Sequence, residues 1–178
     1  MKPERLSRTT VYRSQWVNLY VDKVRFPNGR IIERHHLLDF ESPSVVAVVE
    51  DDREHVLLVS VCRYTTGSTD WELPAGGVEA DESVIDAVQR EVLEETGYET
   101  TDHRQVYSYY PMNGIANKVM YIIRCRASNH TREFDPSEIS QTRWFSKGEL
   151  KQMVEDKTMS DGPSLTALLL CYGTMRSE

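Results

Sequence analysis

Three carboxylates, Glu91, Glu94 and Glu95, stand at i, i+3 and i+4 in "VIDAVQREVLEETG". If this stretch is helical, the three are surface neighbours, and like charges at that spacing destabilise a helix by roughly 0.2–0.5 kcal/mol per pair. Their direction decides what they could do. With Glu91 as origin and about 100° per residue, Val84, Val88, Val92 and Ile85 cover an arc from roughly 20° to 120°. Glu95 then falls near 40°, inside the apolar arc, Glu91 borders it, and Glu94 lies just outside near −60°. A solvated charge run would lie opposite the stripe, where Asp86 and Arg90 are. Carboxylates aimed at a core edge cost several kcal/mol each unless they are paired or hold a cation. A cluster of hard oxygen donors suits Mg²⁺, with Mn²⁺ as an alternative, because both ions prefer carboxylates and keep sites open for water and phosphate oxygens.

The elements that would carry this cluster can be read around it. The helix is expected to start near Ser83, with Asp81 or Ser83 as its cap, and to end at Gly97 in the position that favours a left-handed residue. The stretch "WELPAGG" runs into a loop just before it. Near-continuous aliphatic runs, "SVVAVVE" and "HVLLVSVCRY", are joined by the polar "DDRE" and read as neighbouring buried strands. "RQVYSYY", "KVMYIIRCRA" and "QTRWFS" supply further strands. "SKGELKQMVED", with Ser146 and Glu149 in capping-box spacing, and "GPSLTALLLCYG", with Pro163 in its first turn, supply two more helices. Ahead of these lies a hairpin. "SQWVNLYVDKVRF" has Val17, Leu19 and Val21 at alternate positions, Asn28-Gly29 is a strong turn signal, and "IIERHHLLDF" returns. The fold class expected is α/β (α+β), a mixed-sheet sandwich flanked by helices. Residues 1–43 form an N-terminal antiparallel β-hairpin unit and residues 44–178 the main domain.

Composition narrows the function. The chain has 178 residues, a net charge of −7, 39% hydrophobic and 28% charged residues. That balance argues against nucleic acid and acidic membrane surfaces as partners, while a bound cation would still admit a small anionic substrate. No apolar run is long enough to span a bilayer. Cys62, Cys125 and Cys171 have unrelated spacings in apolar segments and are expected to be buried thiols of a reducing, cytoplasmic compartment. The five histidines show no ligand spacing.

Residues 76–98 resemble the Nudix box: Gly76, Glu82 after five intervening residues, Arg90-Glu91-Val92, Glu94-Glu95 and Gly97, with Tyr98 where an aliphatic residue is common. The resemblance implies a Nudix sandwich from about residue 44 onward and Mg²⁺-dependent hydrolysis of a nucleoside diphosphate linked to another moiety. Glu91, Glu94 and Glu95 would hold the metals, the Ala75 carbonyl would add a ligand, and Arg90 would hold Glu94 by an i, i+4 ion pair. Glu82 would either assist the site or support the loop. Metals at a diphosphate neutralise its oxygens and lower the pKa of an attacking water, and a nearby carboxylate can take the proton.

A second resemblance concerns the approach to the box. "VLLVSVCRYTTGSTDWELPAGG" is similar to the corresponding segment of ADP-ribose pyrophosphatases and nucleotide-sugar hydrolases. By that match Arg63 would contact the diphosphate or terminal ribose, and Glu72 would approach the substrate or brace the loop. Pro111 matches the group's downstream proline, but Met112-Asn113-Gly114 departs from its usual Ser-Pro-Gly. The N-terminal hairpin resembles the small extra domain through which these enzymes form homodimers, and Trp16 or an adjacent aromatic would stack on the base across the interface. The general base is expected from the loop "NHTREFDPSEIS": Glu138 first, then Glu133, with Asp135 the third acid. Alternatives are a Nudix hydrolase of nucleoside triphosphates or dinucleotides, and a non-catalytic sensor of nucleotide metabolites.

Overall fold

A computed structural model describes residues 1–134 and 136–173. Asp135, the third loop acid, lies outside the described residues. The chain divides into two compact units, Met1–Pro43 with Tyr110–Val119, and Ser44–Tyr109 with Met120–Glu178.

The first unit is an antiparallel sheet ordered β1 (Glu4–Tyr12), β2 (Asn18–Arg25), β3 (Ile31–Asp39). The expected β2–β3 hairpin turns through Gly29 at φ 84°, whose N–H donates to the Phe26 carbonyl at 2.9 Å. β1 is an addition to the hairpin read from the sequence. Nearly every residue of "ERLSRTTVY" is exposed, so its apolar residues show no alternation, and backbone pairing to β2 holds the strand together with Arg8. The buried face of β2 holds Asn18, Tyr20 and Asp22, while Val17, Leu19 and Val21 are half-exposed. Arg8 explains this polar choice. Its guanidinium lies over the Tyr20 ring at 4.1 Å and donates through Nε and Nη2 to the Asp22 carboxylate, both at 2.8 Å. The Arg8 bond holds the Asp22 carboxyl below the usual carboxylate range. Along β3, Ile115 and Asn117 bond Leu38 through the backbone, and the Asn117 side chain bonds Phe40 and Asp39.

The second unit is a mixed sheet with strand order β10 (Ile139–Phe145), β5 (Val56–Arg63), β4 (Ser44–Glu50), β9 (Met120–His130), β8 (Tyr98–Tyr109). β4 and β9 run parallel and the other neighbours antiparallel. Alternation along β4 feeds two cores. Val46 and Val48 pack with Leu58, Ile122, Leu150 and Leu168 on the side of helices α2 (Lys147–Glu155) and α3 (Gly162–Tyr172). Val45, Ala47 and Val49 pack with Val88, Val92 and Ile123 on the side of α1 (Val84–Thr96). β4 and β5 pair only at their turn end, Glu50 with Val56. Beyond it two short strands occupy the free edges: β6 (Ser68–Glu72) lies on β5 and β7 (Ala75–Gly77) on β4. The segment read as a loop from "WELPAGG" is thus partly strand, because edges made available by distant residues capture it.

Cys125 is buried and Cys171 half-buried, but Cys62 is exposed. It follows the buried run Val56–Val61 at the end of β5, where the strand has passed the core. Among the described residues no helix is long and apolar enough to cross a membrane.

Candidate active site

Helix α1 begins at Ser83, whose hydroxyl accepts the Asp86 N–H while the Asp86 carboxylate accepts the Ser83 N–H. It ends at Gly97, φ 78°, whose N–H donates to the Leu93 carbonyl at 2.9 Å. Those two ends set the rotation of the helix on the sheet. Glu95 is buried at 8% exposure, Glu91 half-buried and Glu94 exposed, the order expected from their angles around the helix.

Each carboxylate has a different environment. Glu95 accepts the Ala75 N–H at 3.0 Å. Burial, reinforced by the charges of Glu91 and Glu138, pushes its carboxyl up to about 8. Burial also raises Glu91. Gly76 packs directly over Glu91: a Cβ there would lie 2.0 Å from the Glu91 Cδ and Oε1. Arg90 binds further from its own helix than the i, i+4 rule expects. Its Nε and Nη2 donate to both oxygens of Glu82, at 2.9 and 3.0 Å, Nη2 donates to the Gly77 carbonyl at 2.8 Å, and Nη1 donates to Glu91 at 2.8 Å. Glu94 is its longest partner at 3.3 Å. Glu82 therefore clamps the 78–82 loop back over the helix. This is why Arg90 is half-buried although the wheel turns it away from the apolar stripe.

A cleft of about 340 Å³ is lined by Glu91, Glu94 and Glu95 on one side and Arg132, Glu133, Phe134, Glu138 and Ile139 on the other. Two of the loop acids named from the sequence, Glu133 and Glu138, thus face the helix carboxylates. Arg132 also lines the cleft and carried no sequence signal. Arg63, Glu72 and Ala75 stand outside this lining. Glu72 is buried, and its carboxylate takes Arg63 Nε at 3.1 and 3.2 Å and Nη2 at 2.5 Å. Arg63 keeps half its side chain in solvent. The strand end is tied to α3, since the fully buried Ser164 hydroxyl accepts the Leu73 N–H at 2.8 Å and donates to Asp161 at 2.6 Å. In the first unit, Trp16 is 77% exposed in the β1–β2 connection.

The donor chemistry fits a divalent cation. Five carboxylates line one cleft, one of them buried at the cost of its charge, and only glycine fits beside Glu91. Among the described residues no three acidic, histidine or cysteine side chains converge at ligand spacing. Arg90 draws Glu91 and Glu94 to itself, so binding requires at least one of them to turn.

The raised Glu95 carboxyl makes stability depend on pH. The folded protein keeps a proton that the unfolded chain releases near 4.5. This contribution is complete below 4.5, shrinks as pH rises and is gone by about 8. In chelator, Tm is expected to fall by about 7–14 °C between pH 5 and 8, each kcal/mol shifting Tm by about 2–4 °C in a chain of this size. Thermal unfolding across that range checks the slope, and Glu95→Gln should flatten it. A wild-type slope unchanged by that substitution would assign the effect to other groups.

Comparison with known proteins decides the family. The NUDIX domain matches residues 41–168, and a nucleoside diphosphate sugar hydrolase N-terminal domain matches residues 4–37. The chain belongs to the Nudix family. It is a Nudix hydrolase, and hydrolases of this family use a divalent metal. Among its relatives is the CMP-5'-(N-acetyl-N-hydroxy-3-aminopropyl)phosphonate hydrolase of Streptomyces rubellomurinus, 27% identical over 94% of this chain and 82% of the relative. The ADP-ribose pyrophosphatase of Bacillus subtilis is 22% identical over 94% of this chain and 91% of its own. A crystal structure of an ADP compounds hydrolase shares the fold, with a TM-score of 0.84, 21% identity, and coverage of 96% of this chain and 92% of that one.

Proposed function

We propose that this Nudix hydrolase cleaves the diphosphate of a nucleoside diphosphate derivative, ADP-ribose or a related nucleotide sugar, with Mg²⁺ as the preferred metal and Mn²⁺ as a substitute. The observation that carries the reading is the cleft that sets the box carboxylates opposite Glu133 and Glu138. The relatives add support, since all three act on nucleotides joined to a second group, by their names.

In this reading Glu91, Glu94 and Glu95 would hold the cation, and the Ala75 carbonyl would add a ligand. A bound divalent ion neutralises the anionic diphosphate and lowers the pKa of the attacking water. Glu138 takes the proton of that water, and Glu133 is its understudy. Water adds to one phosphorus, the bond to the bridging oxygen breaks, and ADP-ribose yields AMP and ribose 5-phosphate. Arg90 is a positioning residue, fixing Glu91 and the 78–82 loop through Glu82. Arg63, oriented by its fork to Glu72, meets the diphosphate with the part of its guanidinium that solvent reaches. Glu72 is then the brace rather than the contact.

The first unit supports a homodimer. Val11 and Tyr12 of β1, Trp16 of the β1–β2 connection and Ile31 of β3 are each more than 40% exposed, apolar side chains that a second copy would cover. Across that interface, Trp16 or an adjacent aromatic of the second copy stacks on the base. A reducing cytoplasm suits the free thiols.

Product analysis with Mg²⁺ and, in parallel, ADP-ribose, GDP-mannose and a nucleoside triphosphate tests the reading. AMP and ribose 5-phosphate appearing fastest supports it. Cleavage of the triphosphate alone would retain the metal site and discard the substrate assignment.

A further inference from the structure

The loop with the two acids needs to be held in register with the helix that carries the other three, and the geometry assigns that task to Arg132. Helix α1 has no basic residue in its last turn, so its terminal carbonyls lack a cation from their own helix. Arg132 supplies one from outside: its Nε donates to the Leu93 carbonyl at 3.2 Å, the same oxygen that accepts the Gly97 N–H. One residue earlier, the Thr131 N–H donates to the Gly97 carbonyl at 2.9 Å. The two backbones cross so closely that a Cβ on Gly97 would lie 1.8 Å from the Arg132 carbonyl oxygen. Gly97 is therefore required twice, for its left-handed φ and for this crossing. Just after the crossing Glu133 and Phe134 line the cleft, and Glu138 lines it again before the buried Ile139. Arg132 is a positioning residue: it fixes where the loop leaves α1 and hence how far its carboxylates stand from Glu91, Glu94 and Glu95. It also brings a positive charge into a lining that otherwise holds five acids, which offsets their repulsion.

The assignment rests on the hydrolase reading above, but one arm of its test does not. In Arg132→Ala, the Thr131 amide should exchange with solvent about tenfold faster, while amides in the middle of α1 and β10 keep their wild-type rates. With the substrate found by product analysis, kcat should fall about 10–100-fold, the size of loss that a misplacement near 1 Å produces, while KM and Mn²⁺ affinity stay within a few-fold. Guanidinium ion added to Arg132→Ala should restore part of kcat, and Arg132→Lys should fall between the two. Thr131 protection unchanged in Arg132→Ala overturns the assignment. So does a KM that rises with kcat intact, since Arg132 would then be holding substrate rather than the loop. If the wild-type protein hydrolyses none of the compounds tried, the hydrolase reading fails, yet the exchange result still decides whether Arg132 anchors the loop.

Discussion

Glu95→Gln is expected to yield a protein that is folded and more heat-stable without metal at pH 8 than the wild type, yet turns over its substrate roughly 10²–10³-fold more slowly. The two effects have one cause. Glu95 is the most buried of the three helix carboxylates, and its charge is disfavoured there by burial and by Glu91 and Glu138. An amide of the same shape removes that penalty and can still accept the Ala75 N–H through its carbonyl oxygen. It removes as well the charge that a divalent cation requires. Losing one preorganised electrostatic partner of the transition state costs about 3–4 kcal/mol. Measuring kcat at saturating Mg²⁺ beside Tm in chelator separates the outcomes. A drop in both would mean that Glu95 serves the fold, and unchanged turnover would remove it from the metal site.

Gly76→Ala should be nearly as damaging to activity, for a reason of space. The backbone at Gly76 is not left-handed, so alanine is conformationally permitted. The obstacle is the Glu91 carboxylate, 2.0 Å from where the Cβ must go. Glu91 can swing aside, so the fold survives at a cost of about 1–3 kcal/mol, but the carboxylate leaves its position next to Glu95. A displacement of that size should lower kcat by about 10²-fold. Gly77→Ala is the control, because a Cβ at Gly77 meets nothing within 4 Å. Gly77→Ala should stay within a few-fold of wild type, and equal losses in the two variants would show that backbone freedom, not the clash, is what the glycines provide.

Much of the helix was legible because helical periodicity is local. Ser83, Gly97 and the angular positions of Glu91, Glu94 and Glu95 follow from spacing within fifteen residues, and the structure places all of them as read. The partners of Arg90 were not legible in the same way. The i, i+4 rule offers Glu94, but Glu82 and Glu91 bind more closely because a loop folds back over the helix. Strands were found where both faces are buried, as in β4 and β5, and missed where pairing alone sustains them. In β1 only Leu6 is partly buried while Val11 and Tyr12 are exposed, and β7 is three residues long. The grouping of Tyr110–Val119 with the N-terminal unit depends on bonds to Leu38 and Asp39, 78 positions from Asn117 in the latter case, and nothing local to either segment announces it. Glu133 and Glu138 were reached through the family resemblance, whereas Arg132, in the same loop, had neither pattern nor spacing to mark it.

The parallel pairing of β4 with β9 has a bearing on how the molecule acquires its activity. Glu50 and Arg124, joined by two hydrogen bonds across that pair, are 74 positions apart, and the intervening chain contains β5, β6, β7, α1 and β8. Closing so long a loop is entropically costly before any contact repays it. Early in folding, α1 can form its capped turns and β5 can meet β6 without β9. The far wall of the cleft, however, begins only after β9 has docked, since Arg132 to Glu138 follow it directly. Refolding followed by helix content should therefore run ahead of refolding followed by hydrolysis, and the lag between them would time the arrival of the last central strand.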